Sequence, residues 1–410
     1  MSNQELEIEQ ADFKQDAEEV AKLATQESAL VEYVPKSKAP YRMNTLIPRN
    51  MAFEVQKSLN SIVKSKGNID NYVRNQLKYE STKQLWSGLG AEQVDAVGLY
   101  LKQFENEQGI IIADQTGIGK GRQAAAVIRH AVMNDYIPVF FTKKPDLFTD
   151  MYRDLKAIGF ENIRPFIVNT DTNAKIKDAD GNVVFSPLSS SAQADLISNE
   201  IEFPTESPES IEYHKKIGKK LPDPDKMPTI KIPLTLDHLP LGYDMIFATY
   251  SQVQSAHPYK RMWIEKMVNN GIDGSKKYKK LIFILDESHM AGGFDSIIGT
   301  WMREVLPQTK ACCFLSATFA KYPEVMPFYA KKTAIAETGL TDSNFVRSMT
   351  SGGLALQEIV ASNLSESGQL IRRQRSNEGI NVDYITLDAE PQRSKSRESV
   401  NRIISLMNDV

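Results

Sequence analysis

A glycine-rich stretch at residues 109–123, with the sequence GIIIADQTGIGKGRQ, has the residue types needed to hold a phosphate. Glycines allow successive backbone N–H groups to turn toward an anion, and the positive end of a following helix adds to the attraction. A lysine in such a loop reaches the β- and γ-phosphates of a nucleotide. The pattern predicts a phosphate-binding loop, for which a tight strand-to-helix turn is the alternative. The residues expected to contact the nucleotide are Asp114, Thr116, Gly117, Ile118, Gly119, Lys120, Gly121 and Arg122.

This loop departs at two positions from the nucleotide-binding pattern G-x-x-x-x-G-K-[ST]. Asp114 stands at the first glycine of the pattern. Gly121 stands where a serine or threonine hydroxyl would bind Mg²⁺. One magnesium ligand is therefore unaccounted for, and we expect water to fill its place at some cost in metal affinity.

Two adjacent carboxylates, Asp286 and Glu287, follow the apolar run Leu281–Leu285. Ligands bind at the carboxyl ends of strands in parallel sheets, which is where this pair is predicted to lie. Asp286 is suited to hold Mg²⁺ through water, and Glu287 is suited to take a proton from an attacking water. We therefore predict catalytic roles for Asp286 and Glu287 together with Lys120.

Two further polar groups have the chemistry of a nucleotide site. Gln93 lies just before the glycine-rich stretch, and its carboxamide offers a donor and an acceptor suited to the edge of adenine. A surface glutamine is the alternative. Ser316, Ala317 and Thr318 follow the apolar run Ala311–Leu315. Small hydroxyl residues beside a nucleotide can relay the state of the γ-phosphate, whereas a plain strand end is the alternative.

Nucleic-acid contacts are predicted at the ends of two other apolar runs. Lys143 and Lys144 follow Ile137–Thr142, and Tyr250 and Ser251 end the run that begins at Met245. Polar groups at such strand ends can hydrogen-bond a phosphate backbone. For Ser251, capping the N-terminus of a helix is the alternative.

These residues need a scaffold in which strands and helices alternate. The apolar runs Ile110–Ala113, Ile137–Thr142 and Ile163–Val168 read as buried strands, and helices are predicted between them at Ala124–Met133 and Asp150–Ile158. A β-α-β-α-β order is typical of a parallel sheet covered by helices. The predicted fold class is α/β: a RecA-like P-loop NTPase sheet with helices on both faces, preceded by a mainly helical N-terminal extension.

Composition limits the classes of protein to consider. The 410 residues carry 49 basic and 52 acidic side chains, so a net charge of −3 provides no global attraction to nucleic acid. The sequence has no apolar run long enough for a membrane helix, and no membrane partner is expected. Cys312 and Cys313 are adjacent and five histidines are scattered, so neither a disulfide nor a zinc site is indicated. A reduced, cytoplasmic setting fits.

Charge and composition divide the chain into segments. Residues 1–30 hold eight acidic and two basic side chains and read as a flexible acidic leader. Residues 31–85 read as an accessory segment packed on the lobe that follows at 86–390. Within that lobe, 170–243 is a polar insertion expected to be partly ordered, with a hairpin signal at Asp180–Asn182. Residues 391–410 read as a linker.

In their order and spacing, these motifs resemble superfamily 2 helicases, and more narrowly the strawberry notch type carried by phages and mobile elements. The motifs that carry the resemblance are LGAEQVDAV at 89–97, DQTGIGKGR at 114–122, DLFTDMYRDLKAIG at 146–159, FATYS at 247–251, DESH at 286–289, SAT at 316–318 and GQLIRRQRSNEG at 368–379.

The resemblance implies a motor that binds ATP and Mg²⁺ and acts on nucleic acid, DNA rather than RNA, in the cytoplasm of a bacterial host. It implies that Gln93 recognises adenine, that the Asp286 carboxylate binds Mg²⁺ and that Glu287 is the general base. It also makes His289 and 316–318 the couplers between nucleotide state and nucleic acid. Such motors place ATP between two RecA-like lobes, and the second lobe, in cis or in trans, brings an arginine finger. We expect the chain alone to hydrolyse ATP slowly or not at all.

Two other classes of function stay open at this point. One is a nucleotide-gated interaction module without catalysis, such as a phage structural or anti-restriction component. The other is a P-loop enzyme that acts on a substrate other than nucleic acid.

Overall fold

The structure is a computed structural model that describes residues 30–254, 258–270, 280–293, 295–319 and 323–376. Nearly all of the predicted acidic leader, the predicted linker at 391–410 and a last strand predicted at Asp383–Leu387 lie outside the described residues. The strands, numbered in chain order, are β1 Leu30–Glu32, β2 Thr45–Pro48, β3 Gly109–Ile112, β4 Ile137–Thr142, β5 Pro165–Ile167, β6 Ile176–Lys177, β7 Val183–Phe185, β8 Ser198–Pro204, β9 Thr229–Thr235, β10 Met245–Thr249, β11 Leu281–Asp286, β12 Ala311–Leu315, β13 Leu370–Ile371 and β14 Gln374–Arg375. The α-helices are α1 Arg49–Lys66, α2 Ile69–Gln76, α3 Thr82–Gly88, α4 Ala91–Glu105, α5 Lys120–Met133, α6 Leu147–Ala157, α7 Ser190–Ile197, α8 Pro208–Lys216, α9 Pro258–Asn270, α10 Ile297–Val305, α11 Met326–Ala330 and α12 Asp342–Glu366.

Seven of the described strands form one sheet in the order β13-β3-β12-β11-β4-β10-β5, and all of its neighbouring pairs are parallel. Every residue of β3, β4, β10 and β12 is buried. Strands buried on both faces read as continuous apolar runs, which is why the sequence predicts them well. The predicted α/β class, a parallel sheet whose strands are connected by helices, is confirmed.

The register of the central strands brings the predicted functional segments to one edge. Ile112 of β3 pairs with Leu315 of β12, and Leu315 pairs with Asp286 of β11. The glycine-rich loop, the Ser316–Thr318 segment and the acidic pair therefore leave three adjacent strands at the same level.

The N-terminal segment is joined to the far end of the lobe through a small antiparallel sheet. Its strand β2 pairs with β1 on one side and with β14 on the other. Helix α1 packs against α12. Helix α1 ends before Gly67, which has a positive φ of 79°. Glycine adopts that conformation without the steric penalty of a side chain.

The insertion at 170–243 contains more regular structure than its polar composition predicts. The predicted hairpin is present, since β6 and β7 pair antiparallel. A second antiparallel pair, β8 with β9, and two helices, α7 and α8, were not predicted. Gln193 of α7 is buried and donates a hydrogen bond from Nε2 to the Ile167 carbonyl at 2.9 Å. This bond ties the insertion to the end of β5.

In the described part of the chain, no helix combines the length and the apolar character needed to cross a membrane.

Candidate nucleotide-binding site

A cleft of about 630 Å³ opens at the carboxyl ends of the central strands, within the size range of small-molecule sites. Its lining includes Gln93, Thr116, Gly117, Ile118, Gly119, Lys120, Gly121, Arg122, Arg153, Asp154, Asp286, Glu287 and Arg375. The structure thus brings the predicted loop, its lysine and the acidic pair into one cavity. These segments lie far apart in the sequence and meet because β3 and β11 flank β12.

The glycine-rich loop turns through two residues with positive φ, Gly117 at 94° and Gly119 at 83°. Gly119 also precedes the first turn of α5, which begins at Lys120. The Lys120 ammonium group donates a hydrogen bond to the Asp114 carbonyl oxygen at 2.6 Å, so the loop folds around the lysine side chain. The N-terminus of α5 faces the cleft with the polarity that favours an anion.

Gln93 lies at the loop, and both ends of its carboxamide are bonded to backbone. Its Nε2 donates to the carbonyl oxygens of Ile118 at 3.1 Å and Gly119 at 3.3 Å, while its Oε1 accepts from the Gly90 N–H at 2.9 Å. A Cβ atom on Gly119 would lie 2.3 Å from Gln93 Nε2, so this contact requires glycine. The carboxamide therefore holds the loop to the start of α4. Adenine recognition by Gln93 stays a prediction.

Asp114 does not line the cleft, in contrast to its predicted nucleotide contact. Its carboxylate is fully buried and forms an ion pair with Arg373, with Oδ2 2.6 Å from Nη2 and Oδ1 3.0 Å from Nε. Gln123 Nε2 donates to Oδ2 at 3.1 Å. A buried carboxylate needs such partners because an unpaired charge is costly in a low-dielectric interior. Asp114 therefore fixes the base of the loop and does not face the ligand.

Arg375 is a cleft residue that the sequence analysis did not identify. Its guanidinium donates to the Gly117 carbonyl at 2.5 Å, and its backbone N–H donates to Gln115 Oε1 at 3.0 Å. Together with Lys120 and Arg122 it makes the loop side of the cleft cationic. The arginine-rich segment that follows β13 was the available signal.

Asp286 is held by two hydroxyl groups, one at the end of β4 and one in the turn that follows β10. The Thr142 hydroxyl at the end of β4 donates to Asp286 Oδ2 at 3.0 Å, and the Tyr250 hydroxyl donates to the Asp286 carbonyl at 2.7 Å. Burial raises the pKa of Asp286 above its ordinary value, and the charge of Glu287 raises it further, whereas the Thr142 bond and Lys120 lower it. The carboxylate is thus fixed in place and faces the cleft beside the lysine-bearing loop.

Glu287 has the left-handed backbone conformation, with φ 45° and ψ 49°. Such conformations are strained for a residue with a side chain and cluster at functional sites. Its side chain is 42% exposed, and its Oε2 lies 3.5 Å from His289 Nδ1. His289 Nδ1 also lies 2.8 Å from Ser316 Oγ, which accepts a hydrogen bond from the Thr318 N–H at 3.2 Å. Hydrogen bonds therefore connect His289 to the 316–318 segment, which are the residues predicted to couple nucleotide state to nucleic acid. Ala317 lies between Ser316 and Thr318 in the chain.

The predicted nucleic-acid residues divide into exposed and buried ones. Lys143 and Lys144 are exposed directly after β4, and Ser251 is exposed with its Oγ 2.9 Å from Thr249 Oγ1. Ser251 does not cap a helix, because the short 3₁₀ turn at 250–253 has Thr249 in that position.

Tyr250 is buried, with 6% of its surface exposed, which contradicts the predicted contact with nucleic acid. Its ring stacks on Phe141 at a centroid distance of 5.9 Å and an angle of 6°, and its hydroxyl is bonded to the Asp286 carbonyl. An aromatic ring at the end of a central strand is drawn into the core because burial of its apolar surface is favourable.

Comparisons with known proteins found a family model that matches part of the chain, and similar solved structures. A family model described as P-loop containing NTP hydrolase pore-1 matches residues 23–201, which include the glycine-rich loop but not the acidic pair. The similar solved structures include the Sulfolobus solfataricus SWI2/SNF2 ATPase core in complex with dsDNA and the SWI2/SNF2 ATPase core domain of the same organism. Both are 14% identical; their TM-scores are 0.38 and 0.40, and the similarity covers 70% and 71% of this chain. The chain spans 45% and 44% of those structures. No curated protein matches the sequence.

Proposed function

We propose that this chain is the ATP-binding motor lobe of a superfamily 2 DNA helicase or translocase of the strawberry notch type, from a phage or a mobile element. The observation that carries the proposal is the shared cleft of Lys120, Asp286 and Glu287, at the ends of strands β3 and β11 with β12 between them. A lysine-bearing loop opposite an acidic pair is the arrangement that phosphoryl transfer from a nucleotide requires.

The donor set of the cleft fits a magnesium nucleotide. Mg²⁺ prefers oxygen ligands and uses one or two carboxylates together with the phosphates of the substrate. Asp286 would hold the ion, which would neutralise charge on the β- and γ-phosphates. Lys120 would exchange the Asp114 carbonyl for a phosphate oxygen, and the N-terminus of α5 would hold the phosphates with its N–H groups.

The proposed general base is Glu287, whose exposed carboxylate can take a proton from a water that attacks the γ-phosphorus. His289 would orient that carboxylate and connect it to Ser316, so that loss of the γ-phosphate changes the contacts of the 316–318 segment. Thr142 and Tyr250 would keep Asp286 in register with the loop.

Movement on nucleic acid needs two further elements. A second RecA-like lobe, in cis or in trans, would supply the arginine finger that stabilises charge on the transferring phosphoryl group. Lys143, Lys144 and Ser251 lie at the same edge of the sheet and would contact the phosphate backbone of DNA. A bacterial cytoplasmic setting follows from the same proposal.

Calorimetric titration with ATP in the presence of Mg²⁺ tests the nucleotide site. We expect binding by the unmodified chain and none by Lys120→Ala. The matched control is Lys226→Ala, because Lys226 is 84% exposed in the insertion and does not line the cleft. Unchanged affinity in Lys120→Ala would remove the assignment of the loop.

DNA-stimulated hydrolysis by this lobe combined with a second lobe tests the motor role. Turnover that rises with added DNA supports a translocase. Tight ATP binding with no such turnover would favour a nucleotide-gated module that does not catalyse.

A further inference from the structure

The position of Gly121 is occupied by a side chain from another helix. A Cβ atom built on Gly121 would lie 1.9 Å from Asp154 Oδ2 and 3.0 Å from Asp154 Cγ. Atoms cannot approach so closely, so the Asp154 carboxylate lies in the volume that a side chain at 121 would need. This is the position at which the nucleotide-binding pattern has a serine or threonine hydroxyl that binds Mg²⁺.

Asp154 is positioned by helix α6, which packs against α5. Its side chain is only 16% exposed, and it lines the cleft together with Lys120 and Asp286. Arg153 Nη2 lies 3.5 Å from Asp154 Oδ1. Burial raises the pKa of Asp154, while Arg153 and Arg122 oppose that rise. The second oxygen, Oδ2, is the atom directed at Gly121.

We propose that Asp154 supplies the metal-facing oxygen that position 121 lacks, so that a carboxylate from α6 replaces the loop hydroxyl. The inference rests on the proposed function, because it requires a magnesium nucleotide in the cleft. Carboxylate oxygens are ligands that Mg²⁺ prefers, and Asp154 lines the same cleft as Asp286. Within the described residues, no group of three or more metal-ligating side chains is found, which fits a site completed by substrate phosphates.

The glycine at 121 then has a physical explanation. A serine or threonine there would collide with the Asp154 carboxylate, so the two positions are complementary: a hydroxyl at 121 or a carboxylate at 154. The structure contains the second combination. In this proposal the Asp154 carboxylate takes the place of the water that the sequence leads us to expect there.

The charge of Asp154 should affect nucleotide binding in opposite directions with and without Mg²⁺. Without a divalent cation, the carboxylate repels the phosphates, whereas with Mg²⁺ it attracts the metal that bridges them. Asp154→Ala should therefore strengthen ADP binding in EDTA and weaken it in Mg²⁺. The dissociation constant in EDTA divided by that in Mg²⁺ should therefore fall by about tenfold. This is the scale of effect expected when a metal site loses one partner that orients it.

Fluorescence titration of the whole chain with a fluorescent ADP analogue, in Mg²⁺ and in EDTA, measures that ratio. Asp150→Ala is the matched control, because Asp150 lies on the same helix, is 51% exposed and does not line the cleft. Asp154→Asn keeps the size of the side chain and removes its charge, so it should shift the ratio in the same direction if Asp154→Ala does not fold.

The exchange variant Gly121→Ser/Asp154→Ala is the strictest test. It moves the oxygen from helix α6 back to the loop, so it should recover the Mg²⁺ dependence that Asp154→Ala loses. Gly121→Ser alone should bind nucleotide poorly because serine and Asp154 compete for one space. An unchanged ratio in both Asp154 variants would overturn the proposal. Failure of the unmodified chain to bind ADP in either condition would instead overturn the proposed function.

Discussion

Arg373 and Asp114 form an ion pair at 2.6 Å, and neither side chain has exposed surface. Arg373 comes from the segment between β13 and β14, whereas Asp114 begins the glycine-rich loop. A backbone hydrogen bond joins the same two segments, since the Gln115 N–H donates to the Arg373 carbonyl at 2.8 Å. The segment that leaves the sheet after β13 therefore fixes the base of the phosphate loop.

Removal of one partner of this pair should destabilise the chain strongly. Arg373→Ala leaves the Asp114 carboxylate buried without its counter-charge, which costs about 3–5 kcal/mol. Urea unfolding monitored by circular dichroism measures the change, and Arg375→Ala, which removes an exposed guanidinium nearby, should have a small effect. The double variant Arg373→Met/Asp114→Leu should recover much of the loss. A loss equal to that of Arg375→Ala would contradict the assigned role of the pair.

The charge-neutral variant Glu287→Gln should separate binding from hydrolysis. The variant keeps the size of the side chain but cannot accept the proton of an attacking water, so turnover should fall by about 10²- to 10⁴-fold. ATP affinity should stay near that of the unmodified protein. The measurement is phosphate release by the lobe combined with a second lobe, alongside calorimetry. Full turnover would refute Glu287 as the base.

Truncation of Gln93 should loosen the phosphate loop. Gln93→Ala loses hydrogen bonds to the Ile118 and Gly119 carbonyls, and we expect about a tenfold loss of affinity for ATP and GTP alike. Competition titrations with the two nucleotides test this. A loss confined to ATP would instead support adenine recognition by the carboxamide.

The hydroxyl of Tyr250 should matter for stability and not for DNA. Tyr250→Phe removes one hydrogen bond to the Asp286 carbonyl and should lower the free energy of unfolding by about 0.5–1.5 kcal/mol. DNA affinity should be unchanged because the ring is buried. Ser251→Ala and Lys143→Ala provide the comparison, since both positions are exposed. A DNA defect larger in Tyr250→Phe than in Lys143→Ala would restore the original prediction.

His130 should make stability depend on pH. It is buried in α5, and burial lowers its pKa from 6.5 to about 4. The unfolded chain therefore binds the proton first, so this contribution to stability is complete above pH 6.5 and is lost as pH falls toward 4. The total loss is about 3 kcal/mol. His130→Phe should reduce the difference in unfolding free energy between pH 7 and pH 4.5, whereas an unchanged difference would argue against a neutral buried imidazole.

The sequence predicts the parallel strands and the glycine-rich loop because their signals are local. A buried strand such as β4 or β12 reads as an uninterrupted apolar run, and the loop glycines are adjacent in the chain. The acidic pair was placed correctly because it directly follows such a run.

Other site features depend on which strands and helices become neighbours, and no local pattern contains that information. Thr142 holds Asp286 because β4 lies beside β11. Arg375 enters the cleft because β14 pairs with β2, from the opposite end of the described chain. Asp154 reaches Gly121 because α6 packs on α5. Tyr250 is buried because β10 lies beside β4, which brings its ring onto Phe141.

Residues 371–375, which begin at the end of strand β13, connect the glycine-rich loop to the chain beyond it. In this segment Ile371, Arg373 and Arg375 are hydrogen-bonded to the backbone and side chains of 113–117. A force applied along this segment would act on those bonds and, through them, on the glycine-rich loop. If the proposed function is right, tension on that part of the polypeptide would therefore change how the loop holds a nucleotide.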